Sequence, residues 1–185
     1  MFAALAQRYC ISRLLIFPIL LVASCSYMNA QTTSASQRSQ RSIKLTISSA
    51  ESNFKIGDEI RIRVELTNIS NSPIVLSRDI SGKGEFSYHT SVLVKGGGEV
   101  AKTKYLKALR GEPMDKGSIT ITPGSSVLQS IKPSESTVES INLSSLYKLS
   151  DPGVYILRVE RRDPVTKLEV ASNALEITLT PLGTR

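Results

Sequence analysis

The stretch Ile60-Arg61-Ile62-Arg63-Val64-Glu65-Leu66-Thr67 alternates between apolar and polar side chains along its whole length. A period of two is typical of a β-strand that turns one face to a core and the other to water. Similar short segments occur along the chain at residues 43–48, 74–76, 86–94, 137–143, 154–160 and 168–180. Turn residues separate them, and this spacing favours an all-β, antiparallel sandwich.

The beginning of the chain has a different composition. Arg8 and Arg13 precede an apolar run at 14–23 (LLIFPILLVA), which is the layout of a secretory signal peptide. The run has about half of the roughly 20 apolar residues that a spanning helix needs. We therefore predict a signal peptide over residues 1–30 and export of the remaining chain.

Two cleavage sites remain open. Met28-Asn29-Ala30 is an acceptable small-residue site, whereas Val22-Ala23-Ser24-Cys25 resembles the lipobox of bacterial lipoproteins. That resemblance implies lipid attachment at Cys25. Residues 26–42 are rich in Ser, Gln and Thr and are predicted to form a flexible tether. The domain would then occupy residues 43–185.

Charge and cysteine content exclude several classes of protein. The chain has 185 residues, and without Arg8 and Arg13 it keeps 21 basic and 16 acidic residues, a net charge of +5. Such a modest excess mainly indicates solubility. Cysteine is absent after residue 25, so a disulfide framework is excluded and the domain must rely on an apolar core.

The run Asp151-Pro152-Gly153-Val154-Tyr155-Ile156-Leu157 resembles the D-x-G-x-Y segment that leads into strand F of immunoglobulin-like (Ig-like) domains. The resemblance implies a tyrosine corner formed by Asp151, Gly153 and Tyr155, in which the hydroxyl bonds to the upstream backbone. Leu157 stands where antibody domains have their second cysteine, and the chain has no tryptophan.

The wider resemblance includes residues 64–68, 143–149 and 171–173. Together these segments resemble small Ig-like domains of exported bacterial proteins. They are also similar to the non-catalytic sandwich region that precedes the catalytic domain of some secreted zinc metallopeptidases. The resemblance implies a single antiparallel Ig-like β-sandwich of about seven strands.

Catalytic motifs are missing from the sequence. His89 is the only histidine and is predicted to be a strand residue; an enzyme would be indicated if it were buried beside two carboxylates in a cleft. Asp58, Glu59 and Asp163 are predicted to be turn and rim charges. Residues 96–103 depart from a phosphate-binding loop at Ala101 and are predicted to form a glycine-rich turn. No catalytic residue, metal ligand set or cofactor is predicted.

A long connection at residues 96–117 contains a helical pattern at 102–109. Its side chains give a candidate binding loop composed of Lys102, Lys104, Tyr105, Lys107 and Arg110, although a solvated face explains the same charges. Long loops on a rigid sandwich commonly carry contacts. Nucleic-acid binding would need more aromatic residues and an intracellular setting, so no nucleic-acid partner is predicted.

The sequence thus predicts a non-catalytic binding or structural module of the bacterial cell envelope. The protein would be periplasmic or secreted, and possible lipidation at Cys25 would attach it to the outer membrane. Its partner would be an envelope protein or a polysaccharide. The alternative is an inhibitor or chaperone-like partner of a secreted peptidase, which the metallopeptidase resemblance suggests.

Overall fold

The computed structural model describes residues 41–79, 84–114 and 125–182, all within a unit that spans Arg38–Arg185. The strands are β1 (Ile43–Ser48), β2 (Asn53–Lys55), β3 (Arg61–Asn68), β4 (Ile74–Asp79), β5 (His89–Val94), β6 (Ser126–Ile131), β7 (Ser136–Asn142), β8 (Gly153–Arg162), β9 (Glu169–Ala171) and β10 (Leu175–Thr180). Two short helices, α1 (Lys104–Leu109) and α2 (Leu143–Leu146), and a 3₁₀ turn at Gly84–Phe86 complete the described elements.

The described strands form three open sheets. One has the order β1-β3-β7, a second has the order β2-β10-β8-β5 with β9 also paired to β8, and β4 pairs with β6. All of these pairings are antiparallel except the parallel pairing of β2 with β10. The prediction of an all-β chain is confirmed, with ten described strands instead of about seven.

The alternation in the sequence determines which face of each strand is buried. Ile62, Val64 and Leu66 of β3 are buried, while the arginines between Ile60 and Val64 face water. Both larger sheets contribute their inward side chains to one apolar cluster. Burying each such aliphatic side chain contributes roughly 1.5–3 kcal/mol, so the core can support the domain without a disulfide.

Two predicted strands are shorter than expected. The segment 168–180 divides into β9 and β10, because Asn173 leaves the sheet and bonds to the backbone of Ile47 in β1 through both its amide atoms (2.8 and 3.1 Å). The segment 86–94 becomes a strand only at His89. Before it, the amides of Ser87 and Tyr88 donate to the carbonyl of Gly84 and close a turn.

The residue directly before β1 is packed into the domain. Ser42 is 2% exposed, and both its amide and its hydroxyl donate to Asp163 at 2.6 Å. The prediction that Asp163 is a rim charge is wrong, since this residue is 0% exposed. The predicted signal peptide at 1–30, Cys25 and the tether up to residue 40 lie outside the described residues.

Across residues 41–79, 84–114 and 125–182, no helix has the length and apolar character needed to cross a membrane.

Candidate functional site

Tyr155 lies in the core at the start of β8. It is buried, and its hydroxyl donates to the backbone carbonyl of Asp151 at 2.6 Å, which is the contact that defines a tyrosine corner. Burial and the neighbouring Asp151 raise the pKa of Tyr155. Gly153 begins β8 directly after this turn. The geometry gives these residues a structural role.

The candidate binding loop is largely a packed helix. The helix predicted at 102–109 is present as α1, and Thr103 caps it by accepting a hydrogen bond from the amide of Leu106 at 3.2 Å. The Thr103 hydroxyl also donates to the carbonyl of Ser145 at 2.8 Å. Leu106 is 1% exposed within the core. The segment is therefore fixed to the domain by a helix between Lys104 and Leu109.

Several predicted binding side chains are engaged within the protein. Lys102 forms an ion pair with Glu112, and the hydrogen bond from Lys102 lowers the pKa of that carboxyl. The hydroxyl of Tyr105 donates to Glu85 at 3.0 Å. Burial, together with Glu85, raises the pKa of Tyr105 to about 12. Lys104 is exposed on α1.

Arg110 connects the end of α1 to β5. Its Nη2 donates to the carbonyl of Thr90 at 2.9 Å, and its Nη1 lies 2.6 Å from Nε2 of His89. Because a guanidinium has no acceptor, Nε2 must accept and the ring proton must lie on Nδ1. Burial and the charge of Arg110 lower the pKa of His89. Lys107, one turn earlier, is half-buried.

Arg110 also lines a cleft of about 550 Å³ at the start of β5 and the end of β8. This volume is within the range of small-ligand sites. The segment before β5, the end of α1, the last residues of β8 and the start of β9 form its walls. We call it the β5–β8 cleft, and its lining residues are Glu85, Phe86, Ser87, Tyr88, His89, Leu109, Arg110, Glu160, Arg161, Arg162 and Glu169.

Strand register sets the polar side chains of the cleft next to one another. His89 of β5 is opposite Glu160 of β8, and Arg162 of β8 is opposite Glu169 of β9. Glu160 and Arg162 are two residues apart, so they project from the same face of β8. Directly opposed residues have Cβ atoms about 4.5–5.5 Å apart. Donors and acceptors therefore alternate across this surface.

The other two arginines of the cleft are also held by backbone carbonyls. Arg161 Nη2 donates to the carbonyl of Ser77 at 2.7 Å, and Arg162 Nε donates to the carbonyl of Lys167 at 3.0 Å. The guanidinium carbon of Arg161 is 5.0 Å from the centre of the Tyr88 ring, a cation–π distance. A carbonyl is uncharged, so these bonds orient the guanidinium groups without cancelling their charges.

A buried carboxylate lies behind the cleft. The side chain of Glu139 in β7 is 1% exposed, and its Oε1 is 3.2 Å from Nε of Arg78 in β4. Burial raises the pKa of Glu139 against the opposing effects of Arg161 and Arg78. Burial and the charge of Glu139 also raise the pKa of Tyr88 to about 12. No sequence prediction named Glu139, although an acidic residue at an inward strand position is a readable sign of a buried carboxylate.

The geometry that would have indicated an enzyme is not formed around His89. Glu160 and Glu169 line the same cleft, but His89 is exposed and its Nε2 is bonded to Arg110. In the part of the chain that the structure describes, no three His, Cys, Asp or Glu side chains are placed to hold a metal ion.

The comparisons with known proteins give no family. No protein-family model matches the chain, and no curated protein matches it. Among solved structures, it is similar to a mutant β-glucosidase from Listeria innocua in complex with laminaribiose, with a TM-score of 0.39, 12% identity and coverage of 76% of this chain and 16% of that chain. It is also similar to an alkylpurine DNA glycosylase from Pseudomonas fluorescens bound to DNA, with a TM-score of 0.37, 8% identity and coverage of 76% of this chain and 31% of that chain. The chain thus spans less than a third of either protein, and scores this low carry no argument about function.

Proposed function

We propose that this protein is an exported, non-catalytic Ig-like binding module of the bacterial cell envelope and that the β5–β8 cleft holds its ligand. The observation that carries the proposal is the fixation of Arg110, Arg161 and Arg162 by backbone carbonyls at the wall of one cleft. Donors that are already oriented lose little conformational freedom when a ligand binds.

The supporting elements of the cleft are rigid as well as close together. Glu160 lies in the middle of a sheet, since it is paired with His89 of β5 and with Ala171 of β9. Arg110 follows a helix whose Leu106 is buried in the core. A site on strands and a packed helix keeps its geometry better than one on loops.

The bond between Arg110 and His89 supports binding over catalysis. A histidine that acts as a general base needs a free ring nitrogen within reach of the substrate. Nε2 of His89 already accepts from Arg110 at 2.6 Å, so only the protonated Nδ1 faces elsewhere. In this state His89 offers a ligand a hydrogen-bond donor.

The proposal of export rests on the leader. Its basic residues and the apolar run at 14–23 have the order of a signal peptide. Lipidation at Cys25 would attach the module to a membrane surface, with the segment from Ser26 as a spacer. Cleavage after Ala30 would release it as a soluble envelope protein.

Cosedimentation with washed envelopes of the host tests the proposal. The mature protein should pellet with the envelopes, and Arg110→Gln should reduce the bound fraction several-fold. Arg158→Gln is a matched control. Arg158 is exposed on the same face of β8 as Glu160, but it does not line the cleft. Equal pelleting of all three proteins would contradict the proposal. Inhibition of a secreted peptidase at equimolar concentration, unaffected by Arg110→Gln, would instead favour the peptidase partner.

A further inference from the structure

We infer that the ligand of the β5–β8 cleft is an uncharged saccharide segment, an inference that rests on the proposed binding function. Three properties of the cleft point to this chemistry: its charges cancel, its donors alternate with acceptors, and an exposed aromatic ring lies at its wall. A fourth property, the closure of the neighbouring strand edges, disfavours an extended peptide.

The charge balance of the cleft differs from that of the whole chain. The cleft is lined by three arginines and three glutamates, and His89, with Nε2 accepting, is neutral. The whole chain has a net charge of +7. Because the lining charges cancel, the cleft provides no net attraction for a polyanion or a polycation.

The alternation of donors and acceptors suits hydroxyl groups. A hydroxyl both donates and accepts a hydrogen bond, so it is satisfied best between one donor and one acceptor. His89 with Glu160, and Arg162 with Glu169, provide two such pairs on neighbouring positions of the sheet. Successive hydroxyls of a sugar ring present the complementary pattern.

The apolar part of the wall is exposed. Phe86 is 40% exposed although it is a large aromatic residue, and Leu109, which also lines the cleft, is only half-buried. A sugar ring has an apolar face of C–H groups that can pack on an aromatic ring, which gives Phe86 a partner. The cleft thus offers polar contacts for hydroxyls and an apolar contact for the ring.

Strand addition by a peptide is blocked at this end of the sheet. β8 is paired on both sides near Glu160. The outer edge of β5 is occupied as well. The amide of Val100 donates to the carbonyl of Val92 at 3.0 Å, and the side chain of Arg110 donates to the carbonyl of Thr90. A peptide would find few free backbone groups with which to extend the sheet.

Affinity gel electrophoresis of the mature protein tests the inference. Gels would contain a neutral polysaccharide (galactomannan, hydroxyethylcellulose or dextran) or the acidic polygalacturonate. We expect retardation in at least one neutral gel, little affected by added salt. Phe86→Ala and Glu160→Gln should each weaken this retardation about tenfold, while Arg158→Gln migrates as the wild type does. Unchanged thermal melting of the variants would show that folding is intact.

The outcomes distinguish a failure of the saccharide inference from a failure of the proposed binding function. Retardation by polygalacturonate alone, or retardation that salt abolishes, would overturn the inference of an uncharged saccharide. So would free migration in every neutral gel. If Arg110→Gln still lost envelope binding in these cases, the cleft would remain a binding site for another ligand. If it kept envelope binding, the proposed function would fail too.

Discussion

Replacing Asp163 with asparagine should destabilise the domain by roughly 2–4 kcal/mol at neutral pH. One carboxylate oxygen accepts from the hydroxyl of Ser42 at 2.6 Å and from the amides of Val165 and Thr166 at 2.9 and 3.0 Å. The other accepts from the amide of Ser42 at 2.6 Å. Asparagine would place its NH₂ group against one of these donors.

The expected loss of stability follows from the pKa of the Asp163 carboxyl. Burial alone would raise the pKa of Asp163, but the hydrogen bonds from Ser42, Thr166 and Val165 outweigh it and lower the pKa from 3.8 to about 2. This shift is equivalent to roughly 2–3 kcal/mol of stability. Since the folded pKa is the lower one, the contribution is complete above the unfolded pKa and is lost as the pH falls towards 2. Roughly half of it remains at pH 3.

Urea unfolding of wild type and Asp163→Asn between pH 7 and pH 2 measures the loss of stability at neutral pH and its dependence on pH. We expect the difference in unfolding free energy to shrink as the pH is lowered from about 5 to 2. Asp58→Asn is the matched control: Asp58 accepts from the amide of Lys55 at 2.7 Å in an exposed turn, and its replacement should change stability by no more than about 0.5 kcal/mol. A pH-independent difference, or equal effects of both variants, would refute the reasoning.

Three further changes test separate parts of the structure. Tyr155→Phe removes the buried hydroxyl that bonds to the turn before β8 and should cost about 1–2 kcal/mol in a urea melt; an unchanged melt would exclude the tyrosine corner. Leu106→Ala should cost about 2–5 kcal/mol, because its side chain is fully buried, whereas exposed Lys104→Ala should change the same melt little. Arg110→Gln should raise the pKa of His89, since the arginine is one of the two main causes that lower it; an NMR titration that gives the wild-type pKa would contradict the contact.

The strands were predictable where one face is buried and the other is in water, because the sequence then alternates between apolar and polar residues. Ile62, Val64 and Leu66 follow the alternation because one face of β3 packs in the core. The short strands β2 and β6 were missed. β6 buries only Ile131 and leaves Val127 and Leu128 exposed, so its sequence lacks the alternation that identifies a half-buried strand.

The cleft was not predictable, because strand register creates it. His89, Arg110 and Glu160 are separated by tens of residues, and no local pattern shows that β5 pairs with β8 so that His89 lies opposite Glu160. Arg110 was singled out for its charge within a basic run. Its actual role depends on long-range contacts with His89 and the carbonyl of Thr90.

Asp163 was misread for a similar reason. A lone aspartate before a proline is usually a surface turn residue. Here its partner is Ser42, 121 positions earlier, at a place that the composition assigned to a tether. Burial of an isolated carboxylate is costly without hydrogen bonds, and the four donors that make it possible come together only in the folded domain.

An NMR titration of the mature protein with an oligosaccharide of the neutral polysaccharide that retards it tests the central claim most directly. The account predicts saturable shifts of backbone amides at 85–89, 109–110 and 160–162, which surround the β5–β8 cleft. The amides of β2, which lies at the opposite end of this sheet, should stay unchanged. Saturable shifts confined to another surface, or no shifts at millimolar oligosaccharide, would contradict the assignment of this cleft as a saccharide site.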